Sequence, residues 1–207
     1  MNGNKAASWP PALTHDEYRS DMFHVEKRNR LDDSVKSVMF TPFPDDAFAR
    51  QREEANFWLQ VHEGLLGTSR ALPEWSEQLL AEDNGDRLDL MGQRIAALAN
   101  QLLHHAHSHH HIEDHHFFPV FLQVFPQLER PLDLLEKDHE VLTEVLDSVE
   151  QSAIAMQQAL RADRVRLRDA VLMAAEKTRD SGNRLDRLFR RHIADEEEIC
   201  LPSLLRM

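Results

Sequence analysis

The sequence predicts an all-α protein, an up-down-up-down four-helix bundle with an extra N-terminal helix. Only six of the 207 residues are glycine, and the chain is rich in Leu, Ala, Glu, Arg and Gln, a composition that favours helices. Apolar residues also recur every three or four positions over four long stretches, which is the spacing of helix faces turned toward a core. Four such helices with modest connections favour a bundle.

An N-terminal extension, residues 1–44, is expected to precede the bundle, residues 45–207. Within the extension, residues 1–12 show no helical pattern and are expected to attach loosely. Thr14 and Glu17 form the T-x-x-E pattern of a capping box, which predicts an accessory helix from there to about Met39. The sequence TPFPDD that follows predicts a turn.

The bundle helices are expected to be amphipathic, and the second shows the pattern most fully. Its apolar residues from Leu88 to Leu102 step by three and four. Prolines and an Asn-Gly pair mark most of the connections. The expected helices are a first that ends before Pro73, a second from about Asp86 to Phe118, a third that begins after Pro131 and fades near Leu160, and a fourth from about Asp163 to Pro202.

The composition excludes several classes of partner and location. A net charge of −12 argues against nucleic acid and anionic membrane surfaces as partners. No apolar run is long enough to span a membrane, and the start lacks the pattern of a secretory signal. The chain has one cysteine, Cys200, so an internal disulfide is excluded and a cytoplasmic location is expected.

The segment from His104 to Pro119 reads HHAHSHHHIEDHHFFP and predicts a metal site. By composition alone, it is a polyhistidine tract that binds metals loosely. However, the apolar stripe of the second helix continues onto His105, His109, Glu113 and His116. Burying such groups unpaired costs on the order of several kcal/mol, and a metal ion is one partner that removes this cost.

The histidines of the tract divide into two groups. His105 and His116 stay on the stripe, although their counterparts on the fourth helix are Leu188 and Ile199. Each is therefore either an extra metal ligand or a nearby proton donor. The histidines that point off the stripe are expected to be solvated: His104, His107, His110, His111 and His115.

The second and fourth helices repeat one pattern. HHHIEDHHFFP from His109 and HIADEEEICLP from His192 match at the histidine, at the glutamate four residues later and at the proline ten residues later. The glutamates are Glu113 and Glu196. Residues i and i+4 lie on one helix face, so each pair can reach a common ion.

The first and third helices repeat a shorter pattern. His62-Glu63-x-Leu65 matches His139-Glu140-x-Leu142, so each helix pair supplies two imidazoles, and the two glutamates can bridge two ions. Imidazole with carboxylate suits iron, with zinc, manganese and copper open on ligand type alone. The predicted ligands are His62, His109, Glu113, His139, His192 and Glu196.

A ferritin-type site is the competing interpretation, since it uses Glu-x-x-His on two helices and single glutamates on two others. Glu113 with His116 and Glu136 with His139 fit that spacing. The fourth helix has no such pair, which makes this interpretation the weaker one.

Over roughly residues 45–205 the chain resembles the hemerythrin-like, HHE cation-binding family, through the motifs just given and the FFP and CLP sequences that close the second and fourth helices. The resemblance implies a non-haem di-iron centre bridged by two carboxylates and an oxo or hydroxo group. It pairs His62 and His109 on one iron and His139 and His192 on the other. Thr143 stands where the classical oxygen carriers have a further histidine, which leaves one iron a ligand short unless His105, His116 or water substitutes.

The resemblance implies a protein that binds or senses O2, NO or peroxide at open metal positions. The alternatives are an enzyme that reduces oxidants, an iron storage or delivery protein, and a repair protein for iron–sulfur centres. Relatives with the repair function carry a cysteine in an N-terminal segment, and residues 1–45 of this chain contain none. The sequence gives no indication of the oligomeric state.

Overall fold

The computed structural model describes residues 9–40, 52–161 and 164–207, and all the regular structure in these ranges is helical. The predicted all-α helical bundle is confirmed. A π-helical segment, Glu113–Phe117, follows α4, and a 3-10 turn, Pro126–Leu128, follows α5. The α-helices are α1 His15–Tyr18, α2 Asp33–Lys36, α3 Arg52–Leu80, α4 Gly85–Ile112, α5 Phe118–Val124, α6 Glu129–Ala159 and α7 Arg164–Leu204.

Some predictions lie outside the described residues. These are the turn at 41–46, the boundary between residues 44 and 45, the start of the fourth helix near Asp163, and most of the loosely attached stretch 1–12. The division into domains therefore stays a prediction. No helix in the described part of the chain is long and apolar enough to cross a membrane.

The N-terminal extension differs from the single helix expected between Thr14 and Met39. It forms two short helices, α1 and α2, joined by turns. The predicted capping box is present, because Thr14 Oγ1 accepts from the Glu17 amide and the Glu17 carboxylate accepts from the Thr14 amide. The prediction of one long helix was wrong because Asp32 caps a new helix, its side chain accepting from the Ser34 amide.

Helix α3 continues seven residues past Pro73, where the sequence predicted its end. A proline inside a helix costs about 3 kcal/mol because it removes a hydrogen bond and crowds the preceding turn. On this helix Leu72, Ser76 and Leu79 are buried on both sides of the proline. Their burial offsets the cost, so tertiary packing overrides the local signal. Helix α7 likewise includes Pro202 in its last turn.

The structure divides into two compact units. The first unit comprises Met1–Phe57, Ile112–His139 and Arg191–Met207, and the second comprises Trp58–His111 and Glu140–Arg190. In the first unit, the N-terminal extension is tied to α6. The Leu13 amide donates to Asp133 Oδ2 at 2.7 Å, and Arg130 Nη2 lies 3.2 Å from Glu17 Oε1. Leu31 and Val35 of the extension are fully buried.

The second unit holds parts of α3, α4, α6 and α7. Ser69 Oγ donates to Asp186 Oδ1 at 3.1 Å, and Arg179 Nη1 lies 3.5 Å from Glu77 Oε2. Later positions on α3 therefore meet earlier positions on α7, so these helix segments run in opposite directions, as the up-down prediction requires.

Candidate metal centre

The buried face of α4 is shifted around the helix, by about one residue position, from the face that carries the predicted apolar stripe. Met91 and Leu98, which were expected at its centre, are only half-buried, as are His105 and His109. Five of its nine buried positions carry glycine, alanine or histidine, which a search for large apolar residues overlooks. The buried residues are Leu88, Gly92, Ile95, Ala96, Ala99, Leu102, Leu103, Ala106 and His110.

His110 is therefore buried, with 5% of its surface exposed, and the prediction that it is solvated was wrong. Its ring lies 5.8 Å from the His109 ring and 6.0 Å from the Phe189 ring, measured between centroids. The same prediction is confirmed for the other four off-stripe histidines, which are exposed: His104, His107, His111 and His115.

The π-helical segment changes the register beyond Glu113. A π-turn takes about one more residue than an α-turn, and such turns are frequent at functional sites. Glu113 and Phe118, five residues apart, are both buried, whereas His116 between them is exposed. His116 is thus not on the buried face where uninterrupted α-helical stepping placed it. His105 stays at the edge of that face, beside Gly64 of α3.

In the first unit, four of the predicted ligands lie close together. His139 Nε2 and His192 Nε2 are 3.1 Å apart. His139 Nε2 is 3.5 Å from Glu113 Oε2, and His192 Nε2 is 3.7 Å from Glu196 Oε2. All four side chains are at most 5% exposed. The two Nε2 atoms and the carboxylates therefore gather in one water-poor region.

The two buried glutamates are unfavourable neighbours in the absence of a cation. Burial raises the pKa of Glu113 well above its usual range, and the charge of Glu196 raises it further. Two carboxylates this close and this buried cannot both ionise without compensation. A cation between carboxylates and neutral imidazoles supplies that compensation, so this donor set fits a metal ion.

In the second unit, His62 and His109 form the other predicted pair. Their ring centroids are 5.1 Å apart, and the rings are nearly perpendicular, at 78°. His62 is 1% exposed, and the Trp58 ring lies against it with 6.0 Å between centroids. Trp58 and His62 are one turn apart on the same helix, so the indole packs beside the imidazole.

Within each unit, pairs of side chains that could hold a metal ion have ligand atoms within 4.8 Å of each other. In the first unit His139 and His192 form one such pair and Glu113 and Glu196 form another, and in the second unit His62 and His109 form a third. The structure therefore has histidine and glutamate groups that could hold a metal ion. All six predicted ligands belong to these pairs, and His110 of the second unit also carries a donor atom suited to a metal ion.

Carboxylates orient the two predicted histidine ligands of the first unit, and the sequence analysis did not predict these contacts. His139 Nδ1 lies 2.7 Å from Asp114 Oδ1, and His192 Nδ1 lies 3.3 Å from Asp138 Oδ2. A carboxylate that accepts from Nδ1–H leaves Nε2 as the metal-binding nitrogen. One signal was available: Asp114 and Asp138 each adjoin a predicted ligand in the sequence, although adjacency alone cannot say which histidine each would meet.

Cys200, one turn after Glu196 on α7, is fully buried. Burial raises the pKa of its thiol well above the usual range, and the charges of Glu196 and Glu113 raise it further. Because the thiolate is the reactive and metal-binding form, Cys200 acts as a core side chain here.

An all-α helical bundle with buried histidine and carboxylate groups defines a class of metal-binding helical proteins. The sequence model of the hemerythrin HHE cation-binding domain matches residues 54–204, well over half of the chain. The protein therefore belongs to this family, as its motifs predicted. No curated protein and no solved structure gives a significant match to the chain.

Proposed function

We propose that this protein carries a non-haem di-iron centre and binds or senses a small ligand, O2, NO or peroxide, at that centre. The observation that carries the proposal is that buried or half-buried donors lie close together within each unit: His139, His192, Glu113 and Glu196 in the first, and His62 and His109 in the second. His62 and His109 would hold one ion, His139 and His192 the other, and Glu113 and Glu196 would bridge the two.

His110 is a candidate for the metal ligand that is missing because Thr143 stands at the position of the classical histidine. Its side chain is buried, its ring lies beside that of the predicted ligand His109, and it carries a donor atom suited to a metal ion. We infer that His110 is an additional nitrogen donor of the centre. His110 is a better candidate ligand than His116, which is exposed, and than His105, which lies at the edge of the buried face.

The protein's own groups prepare the site for cations. Two carboxylates contribute two negative charges, and neutral imidazoles supply the remaining donors. Burial of Glu113, Glu196 and His192 keeps water away and strengthens the attraction between carboxylate and cation. When bound, iron would supply redox chemistry and open coordination positions for a diatomic molecule or peroxide. The single cysteine suits a reducing, cytoplasmic compartment, which is part of this proposal.

The proposal is tested by loading the protein with iron(II) without oxygen, counting the bound iron, and adding O2, NO or peroxide in turn. A stable change in the near-ultraviolet and visible spectrum with about two irons per chain supports a binding or sensing role. Continued consumption of peroxide with recovery of the starting spectrum would instead indicate an oxidant-reducing enzyme. Release of iron without a spectral adduct would indicate storage or delivery.

The bridging role of the glutamates predicts that one substitution affects both ions. Glu113→Gln or Glu196→Gln should lower bound iron well below two per chain, because each carboxylate would contact both ions. The same changes should stabilise the metal-free fold, since they remove a buried ionisable group. The measurements are metal content and thermal unfolding.

Glu140→Gln is the matched control, because Glu140 is exposed and adjoins a predicted ligand. Its iron content should equal that of the parent protein. Iron content that is unchanged in either glutamate variant would contradict bridging.

A further inference from the structure

The N-terminal extension inserts an arginine, Arg28, into the interior of the first unit. The extension lies before the residues matched by the family model, 54–204. The Arg28 side chain is nevertheless only 1% exposed, and its partners Asp138 and Asp195 are fully buried. A buried charge requires close partners, because desolvation is costly.

Arg28 satisfies this requirement with a set of directed hydrogen bonds. Its Nη1 donates to Asp138 Oδ1 at 2.8 Å, its Nη2 donates to Asp138 Oδ2, and its Nε donates to Asp195 Oδ2 at 2.8 Å. Nη1 also donates to the Phe23 carbonyl within the extension. The planar guanidinium therefore fixes the Asp138 carboxylate through both of its oxygens, which a lysine ammonium cannot do in the same way.

A second residue of the extension contacts the same carboxylate. The buried Tyr18 hydroxyl donates to Asp138 Oδ1 at 2.8 Å. Asp138 is consequently a carboxylate whose position is set by two side chains of the extension.

A third partner of Asp138 is a predicted metal ligand. Its Oδ2 lies 3.3 Å from His192 Nδ1, on the edge of the ring opposite the metal-binding nitrogen. His192 Nε2 lies 3.1 Å from His139 Nε2 and 3.7 Å from Glu196 Oε2. The chain of contacts thus runs from the extension through Asp138 to the donor atoms.

We propose that Arg28 and Tyr18 are positioning residues for the metal centre: they hold Asp138 so that it fixes the ring of His192 with Nε2 presented to the ion. The inference rests on the proposed function and adds that the N-terminal extension controls metal affinity. His139 provides a contrast within the same unit, because its partner Asp114 is 29% exposed, whereas Asp138 is fully buried.

The test compares conservative variants by their affinity for cobalt(II), a spectroscopic probe that reports ligand geometry through its visible bands. Arg28→Lys keeps the charge but loses the paired hydrogen bonds to the two carboxylate oxygens of Asp138. Tyr18→Phe removes a single hydrogen bond and leaves the ring in place. Loss of an outer partner of a metal ligand typically weakens metal affinity by about 10- to 100-fold. We expect about 10-fold weaker binding and shifted cobalt bands in both variants.

Arg130→Lys is the matched control. Arg130 is also a buried arginine that holds the extension, through the Pro11 carbonyl, the Glu17 carboxylate and the face of the Phe23 ring. It contacts neither Asp138 nor His192 among the hydrogen bonds and ion pairs of the described residues. Its cobalt affinity and bands should therefore match the parent protein, even if its melting temperature falls.

The outcomes separate the inference from the proposed function. If the parent protein binds neither cobalt nor iron, the metal centre itself is excluded. If the parent binds metal and Arg28→Lys and Tyr18→Phe both retain its affinity and bands, the positioning role is overturned. An equal loss of affinity in Arg130→Lys would also overturn it, because the effect would then reflect only attachment of the extension. Should Arg28→Lys fail to fold, Tyr18→Phe alone decides.

Discussion

At the scale of single residues, position relative to the buried face decides what each histidine can do. His110 and His111 are neighbours in the sequence, yet the first is buried beside Phe189 and the second is exposed. A polyhistidine tract that bound metal loosely would use the exposed residues. The structure instead divides the tract into a few buried or half-buried histidines and a larger solvated set.

This division predicts different effects for two adjacent substitutions. His110→Ala should reduce bound iron or weaken its affinity by 10-fold or more, because it removes a buried imidazole that lies beside the predicted ligand His109. His111→Ala should leave metal content unchanged. Metal analysis after dialysis against a weak chelator measures both. Equal losses of bound metal in the two variants would favour loose binding by the tract. Unchanged metal binding in His110→Ala would exclude His110 as a ligand.

The residue scale also shows what the sequence could and could not predict. The i, i+4 spacing placed Glu113 and Glu196 one turn from a histidine, and the structure buries both. It could not place His110, since the small residues at the centre of the face carry no hydrophobic signal of their own. Nor could it pair Asp138 with His192, because that contact joins residues 54 positions apart.

At the scale of elements, close approach between helices depends on glycine at particular positions. A Cβ at position 182 on α7 would lie 3.0 Å from Pro73 Cδ and 3.4 Å from Pro73 N. The proline ring and backbone are stiff, so they cannot move aside easily. At position 67 on α3, a Cβ would meet nothing within 4 Å. Gly182 is thus required by packing, while Gly67 is not.

These two glycines predict opposite effects of the same change. Gly67→Ala should stabilise the protein by about 0.5–1 kcal/mol, because alanine loses less conformational freedom than glycine in a helix. Gly182→Ala should destabilise it, since crowding against Pro73 exceeds that gain. Chemical denaturation of the metal-free protein measures both free energies of unfolding. Stabilisation by Gly182→Ala would show that α3 and α7 are not packed closely at this point.

The elements themselves were predictable to different degrees. The long amphipathic helices α4, α6 and α7 were predicted close to their observed ranges, because their periodicity extends over many turns. The predicted end of α3 was wrong, because packing overrides the local signal of a proline. The prediction of a single N-terminal helix was wrong, because a long apolar pattern hid the local signal of an internal cap. The π-helical segment left no recognisable signal, and its insertion moved His116 off the buried face.

At the scale of the whole molecule, the same buried residues favour metal binding and lower the stability of the metal-free fold. The buried Glu113, Glu196 and His192 weaken the metal-free fold, because each places a polar or ionisable group in a region without water. A protein tolerates such groups when they serve a function that needs them there. The large apolar core of both units offsets this cost. We therefore expect the bound metal ions to contribute to the stability of the protein.

We propose two ions among the six predicted side chains and His110. Anomalous X-ray scattering from crystals of the iron-loaded protein, recorded on both sides of the iron absorption edge, would locate these ions. We expect two iron peaks per chain, one beside His62 and His109 and one beside His139 and His192, with Glu113 and Glu196 reaching both. A single peak, or peaks at the exposed histidines of the tract, would contradict this proposal.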